Sequence, residues 1–431
     1  MKGLLLSLLI AAGTPWSLTD CIQYALDHNI SIQQTQLSVQ QKEIALSTAQ
    51  NRFLPGVSGG VSQNFSFGRG LTADNTYANT NTTNTSLSLG ADMPVFQGLQ
   101  LINGVKLSKL DLQAATADLE RAKDDIRVAV AQAYVQILFN QEILQVARNQ
   151  VSIDSMQVER LEHMRANGKA SEADVVAQKA TYAQSCLSAT QASNNLNISI
   201  LDLTQLLELP SPEGFSIVTP VTDGVGREML LNPEEIYARA IDVKPSVLAE
   251  KLRLDYASKN IDIAKGAFSP TLSLNGGIGT NYYTTSDRPS ASFADQMSNN
   301  FSQYIGLSLN VPIFSRMSNR NNLKTARLNY SNQQLQLESV KKNLYKEIQQ
   351  AYYNAVASQS KLVSSEHAAR SAEASFELTR EKYENGKANI TEYNESKNRD
   401  LEAASNYLQA LYECLYQTKL LDFYQGLDIE F

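Results

Sequence analysis

Glu392 and Glu395 stand three residues apart in the stretch TEYNESK, which puts both carboxylates on one face of a helix. Paired acids of this kind attract cations and repel one another. Little else in the chain has a spacing that chemistry could use. The three cysteines, Cys21, Cys186 and Cys414, are odd in number, far apart and without metal-ligand spacing, so they read as isolated thiols. His28, His163 and His367 are equally scattered. The segment FGRG (Phe67 to Gly70) lacks the lysine and the following helix that a phosphate-binding loop needs. No nucleophile has a base nearby in the pattern, so neither catalysis nor a metal or cofactor is expected. With 37 basic and 44 acidic residues the net charge is −7 and no basic run stands out; nucleic acid is therefore not an expected partner.

The acid pair follows a break that the chain writes twice. RANGKASEAD (Arg165 to Asp174) and YENGKANITE (Tyr383 to Glu392) carry nearly the same letters 218 positions apart. Gly168 and Gly386 suit the left-handed conformation that ends a helix. Ser171 and Asn389 are good N-caps for the helix after it, and Asp174 and Glu392, three residues on, are placed to complete capping boxes. The same offset brings RFLPGVS near AFSPTLS, DMPVFQG onto NVPIFSR and AQAY onto QQAY. Self-similarity of this order implies a tandem duplication. The expected organisation is a first repeat at 18–210, a Pro- and Gly-rich linker at 211–232 and a second repeat at 233–431.

Each repeat predicts the same elements: a helical segment of about 35 residues (Leu18 to Arg52, then Pro233 to Lys265), a strand, a polar loop, a second strand and a very long helix. The long helices, near Gly98 to Met164 and Ser315 to Lys382, would each reach ~100 Å at 1.5 Å per residue. Ile137, Leu144, Val151 and Val158 recur every seven residues, and Leu337, Val340, Leu344, Ile348, Ala351 and Ala355 recur at threes and fours. That spacing asks for coiled-coil packing. After each break a further helix (Ser171 to Leu207, Asn389 to Leu421) must run back antiparallel.

The predicted strands alternate strictly. Leu272, Leu274 and Ile278 are separated by Ser273 and Asn275; Ile305, Leu307 and Leu309 by Ser308; Val57, Val61, Leu87 and Leu89 follow the same rule. A half-buried soluble sheet gives this alternation, and so does an outer-membrane strand with one face on lipid. The N-terminus separates the two readings. Lys2 precedes the nine-residue apolar run Leu4 to Ala12, too short to span a bilayer and suited to a secretory signal peptide over 1–17. Together with the length of the helices, this favours the membrane. The loops Gly68 to Thr85 and Thr284 to Asn300 have the Asn, Thr and Ser content of solvated segments. Four strands cannot close a membrane barrel, so several chains must contribute to one.

At this point the chain resembles a known family, the TolC-like outer-membrane efflux proteins. The resemblance rests on the duplicated order of helix, proline, two strands, proline, long helix and tip, and on CIQYALDHNISI, MPVFQG, VPIFSR and the tip letters. It implies a fold that is mainly α with a membrane β-barrel portion. A homotrimer would place a 12-stranded barrel in the outer-membrane lipid of a Gram-negative bacterium, with an α-helical barrel of coiled-coil helices in the periplasm. The implied function is that of the outer-membrane channel of a tripartite efflux or type I secretion system, working with a periplasmic adaptor and an inner-membrane pump. By the same resemblance, the tips (Gly168, Lys169, Ser171, Asp174, Gly386, Lys387 and Asn389) dock the adaptor, and Glu392 and Glu395 form the narrowest rings of the lumen. The chain departs from the family in carrying Glu at both ring positions, where the best-known pattern has Asp. Lys387 and Ala388 stand where some relatives latch the closed state, and Tyr383 is a weak substitute. Ile30 stands where the second copy has Pro245. The alternative reading is a periplasmic coiled-coil adaptor or structural protein of an export complex, which would not need the strands.

Overall fold

The computed structural model describes residues 15–71, 75–222, 224–226, 229–286 and 288–430. The expected signal segment therefore lies, through residue 14, outside the described residues. Trp16 and Ser17 are part of the fold: Trp16 N–H donates to Ser216 O and Val218 N–H donates to Trp16 O, each at 2.9 Å, and Ser17 caps the first helix with a complete capping box.

The helices come in two matched sets. The first is α1 (Leu18–His28), α2 (Ile30–Asn51), α3 (Gln100–Ala166) and α4 (Glu172–Leu206), of 11, 22, 67 and 35 residues. The second is α5 (Pro233–Val243), α6 (Pro245–Gly266), α8 (Ser318–Glu384) and α9 (Ile390–Tyr424), again of 11, 22, 67 and 35 residues. The short α7 (Phe293–Asn299) stands between the sets. Even the backbone strain is written twice. Gly98 and Leu99 before α3 have φ of 57° and 62°, and Arg316 and Met317 before α8 have φ of 52° and 65°.

The single helical segment expected at the start of each repeat is broken in both. α1 stops at Asn29 and α5 at Lys244, each with extended backbone. Pro245 forces the second break, because the ring of a proline drives the preceding residue out of the α region. In the first copy Asn29 does the same with its side chain, which accepts from Ser31 N–H at 2.9 Å and donates to Leu206 O at 3.0 Å. The departure at Ile30 thus changes the device and keeps the break.

Two compact units share the chain. Among the described residues, the first comprises 15–38, 116–249 and 338–430; the second comprises 39–115 and 250–337. The first unit has a core in which Leu18, Cys21 and Ala25 of α1 meet Val130, Tyr134, Ile137 and Leu138 of α3, Leu203 of α4 and Leu415 of α9. Tyr134 donates its hydroxyl hydrogen toward Val218 O at 2.6 Å and Trp16 O at 3.1 Å. Burial, with Asp20 adding, pushes the Cys21 thiol up to about 12, so it stays protonated and inert. Of the heptad residues, Ile137, Leu144, Leu337, Leu344, Ile348, Ala351 and Ala355 are buried, as a packed seam requires.

The second unit carries a four-stranded antiparallel sheet in the order β1 (Gly56–Ser66), β4 (Thr82–Gln97), β5 (Thr271–Thr285), β6 (Ser302–Asn310). Its register sorts the side chains by face. Val57, Ala91, Gly276 and Ile305 form one row, Leu274 pairs with Leu307, Leu272 with Leu309, and Leu89 with Ile278. The opposite face holds Ser62 against Ser86, Asn275 against Gly306 and Ser273 against Ser308. On the apolar face Val61, Ile305, Leu307 and Leu309 are all exposed. β4 does not end at Pro94 but runs on to Gln97 past a register shift between Pro94 and Phe96, an irregularity that accommodates a residue without an N–H.

Neither polar loop is wholly irregular. The first contains the hairpin β2 (Arg69–Leu71) and β3 (Tyr77–Asn79). The second contains α7, whose N-cap Ser292 accepts from Asp295 N–H at 3.2 Å. Asn300 holds that helix to β5 by donating to Asn281 O at 2.7 Å. Composition marked these segments as polar, but short capped elements use the same Ser, Asn and Asp residues.

Candidate functional site

Both tips lie in the first unit, where α3 turns into α4 and α8 into α9. At the first, Gly168 has φ +68°. Its N–H donates to Arg165 O at 2.9 Å, and Lys169 N–H reaches back to Met164 O at 2.8 Å. At the second, Gly386 has φ +70°, with Gly386 N–H to Tyr383 O at 3.0 Å and Lys387 N–H to Lys382 O at 2.7 Å. These paired bonds are the Schellman arrangement, which satisfies the last carbonyls of a helix and needs a left-handed residue at its centre. Lys169 and Lys387 are left exposed.

The two restarts differ. Ser171 Oγ accepts from Asp174 N–H at 3.1 Å, while Asp174 accepts from Ser171 N–H at 3.1 Å and from its hydroxyl at 2.7 Å. Those bonds, the hydroxyl first, hold the Asp174 carboxyl below the usual range. Asn389 Oδ1 likewise accepts from Glu392 N–H at 2.8 Å, but the Glu392 carboxylate takes Asn389 Nδ2 at 3.3 Å rather than the backbone N–H. The second capping box expected from sequence is thus only half formed. At Ser171 the hydroxyl and the backbone N–H share one carboxylate oxygen, whereas the amide N–H of Asn389 holds the longer Glu392 side chain away from the backbone. Glu392 and Glu395 are both exposed on the first turns of α9.

The two hairpins touch just above the tips. Gln157 Nε2 donates to Tyr383 Oη at 2.8 Å, the Arg160 guanidinium lies 5.6 Å from the centre of the Tyr383 ring, and Arg160 reaches Glu384 at 3.9 Å. The Tyr383 ring packs at a tilt, 4.9 Å between centroids, against Tyr393, which meets Phe376 at 5.5 Å. Burial raises the Tyr383 phenol, and burial with Asp154 nearby pushes Tyr393 up to about 12. Both stay neutral. Within the first hairpin, Lys179–Glu162 and Arg165–Glu172 close at 2.6 Å, but pairs this exposed contribute little to stability.

A buried ion pair was missed in the sequence. Lys397 Nζ lies 2.7 Å from Asp154 Oδ1, with the Asp154 side chain 0% and the Lys397 side chain 3% exposed. Asp154 sits three residues beyond Val151 of the heptad, a seam position where a carboxylate is out of place. That was the available signal. Among the described residues, no group of three or more His, Cys, Asp or Glu is placed to hold a metal ion, and no helix is long and apolar enough to cross a membrane.

With this geometry in hand, comparison with known proteins is informative. The profile of the family described as "Outer membrane efflux protein" matches residues 21–208 and 236–426. "Outer membrane protein TolC" of Vibrio cholerae serotype O1 is 24% identical over 312 residues, covering 72% of this chain and 70% of its own. The crystal structure of the outer membrane protein VceC from Vibrio cholerae superposes with a TM-score of 0.78 at 18% identity, covering 96% of this chain and 97% of that one. The Campylobacter jejuni CmeC outer membrane channel gives 0.79 at 17%, covering 96% and 86%. At these identities the structural likeness shows the fold.

Proposed function

This chain belongs to the outer membrane efflux protein family, and on that premise we propose that three copies assemble into a channel spanning the outer membrane. The observation that carries the proposal is the sheet. It offers one apolar, exposed face, as lipid requires, and it ends in β1 and β6, whose outer edges no strand among the described residues closes. An open edge is not viable in a bilayer. Because the number of strands is even, β6 of one copy meets β1 of the next antiparallel, and three copies close a ring of twelve. A periplasmic adaptor would have no use for such a sheet.

In this reading residues 18–210 and 233–431 are two copies of one repeat, joined by 211–232. Cargo leaves through the channel, delivered by an inner-membrane pump through a periplasmic adaptor that docks on Gly168, Lys169, Ser171, Asp174, Gly386, Lys387 and Asn389. Nothing lies within 4 Å of a Cβ added at Gly168 or Gly386, so Gly168→Val and Gly386→Val cost only the left-handed strain, about 1–2 kcal/mol. The trimer is expected to survive both. If export and adaptor cross-linking also survive unchanged, the tips have only a capping role.

Glu392 and Glu395 bring three copies of each carboxylate around the axis at the periplasmic mouth. Rings of like charge attract cations and limit how tightly side chains alone can shut a pore. The test is single-channel conductance in planar bilayers for Glu392→Ala with Glu395→Ala. Conductance is expected to depart from that of the unmodified channel, and block by a trivalent cation from the periplasmic side to weaken. Values matching the unmodified channel would place the constriction elsewhere.

A further inference from the structure

We propose that the Asp154–Lys397 pair is a positioning clasp for the mouth: it seats the start of α9 against α3 and α4 and so fixes the direction in which Glu392 and Glu395 face. The second half of this statement rests on the constriction reading above; the first does not.

One carboxylate collects donors from three helices. Asp154 Oδ1 accepts from Lys397 Nζ of α9 at 2.7 Å and from Gln178 Nε2 of α4 at 3.3 Å. Its Oδ2 accepts from Gln150 Nε2 of α3 at 2.8 Å and Ser185 Oγ of α4 at 2.5 Å. Such a set is satisfied at one axial and rotational setting of α9, since hydrogen bonds weaken steeply with distance and angle. On the tip side Tyr393 packs against Phe376 and Tyr383; on the side away from the tip the packing is looser. A cavity of about 620 Å³ opens beside the pair, lined by Ala147, Ala180, Ser188 and Ala192 together with the larger Ile143 and Leu401. A void beside a helix withholds contacts that would otherwise distinguish neighbouring registers.

A buried ion pair is a poor choice for stability alone. Its desolvation offsets the attraction, and a well-packed apolar pair often stabilises as much or more, whereas polar groups in a helix seam specify register. The direction also fits. At about 100° per residue, Lys397 lies roughly 200° around α9 from Glu395 and roughly 140° from Glu392. Holding Lys397 against α3 and α4 therefore turns both exposed carboxylates to the far side of the helix.

The test uses Asp154→Leu with Lys397→Met, which removes both charges and leaves no orphaned ion in the assembled protein. Amide hydrogen exchange over residues 390–402 is expected to quicken about tenfold or more, because Gln150, Gln178 and Ser185 lose their shared acceptor and the substituted pair borders a cavity instead of packing closely. Unchanged exchange overturns the clasp. Conductance and trivalent-cation block are measured in the same variant, with and without Glu392→Ala and Glu395→Ala. A change that disappears when the glutamates are absent supports the positioning role; a change of equal size in both backgrounds overturns it. If exchange quickens but the glutamate variant alone conducts like the unmodified channel, the clasp stands and the constriction reading fails.

Discussion

Ile305→Arg combined with Leu307→Arg is expected to abolish recovery of the protein from the outer membrane, while Ser308→Arg leaves insertion intact. Both apolar residues are on β6 and point to the face shared with Leu274 and the Gly276 row. Both are exposed, Ile305 at 80% and Leu307 at 70%. If that face meets lipid, each arginine near the bilayer midplane costs about 2–4 kcal/mol. Two together cost about 4–8 kcal/mol, comparable to the lower half of a typical stability of about 5–15 kcal/mol. Ser308 lies on the other face, opposite Ser273, where a charge would meet water and alter conduction rather than folding. The measurement is the fraction of protein that fractionates with outer membranes as folded oligomer. Equal recovery of the double variant and the Ser308 variant would show that the apolar face is not on lipid.

The second large effect is expected at Gly98→Val, with a loss of about 3 kcal/mol or more from strain and overpacking combined. A Cβ there would stand 2.3 Å from Gly266 O and 2.7 Å from Ser269 Cβ, and φ is +57°. The second copy shows which of these matters. Arg316 holds the equivalent place with φ 52°, so a side chain tolerates the left-handed turn itself. What Gly98 supplies is the close approach to α6. Chemical denaturation of the detergent-solubilised protein should therefore rank Gly98→Val well below Gly168→Val, whose added Cβ meets nothing within 4 Å. Equal midpoints for the two variants would mean that the approach at Gly98 relaxes at no cost.

The contrast between these glycines also shows what the sequence could reveal. Gly168 and Gly386 were legible because helix-ending chemistry is local: a left-handed glycine, then a capping residue, then an acid three positions on. The long helices were legible for a similar reason, since a seven-residue repeat of Ile137, Leu144, Val151 and Val158 persists over many turns. Strand faces followed from alternation alone. Features that depend on distant partners were not legible. Gly98 is required by Gly266, and Asp154 by Lys397, 243 positions away. The break at Asn29 depends on a bond to Leu206 O, where the break at Lys244 only needed the proline beside it. The half-formed box at Glu392 turned on a competition between two donors of one asparagine, which pattern cannot resolve.

An open four-stranded sheet becomes a membrane barrel only by the number of chains that close it. Sedimentation equilibrium of the purified protein in a density-matched detergent measures the protein mass of the complex without the bound detergent. Three chains are predicted, closing twelve strands with β6 of each copy on β1 of the next. A mass of one or two chains, for protein that is folded and conducts in bilayers, would contradict that closure.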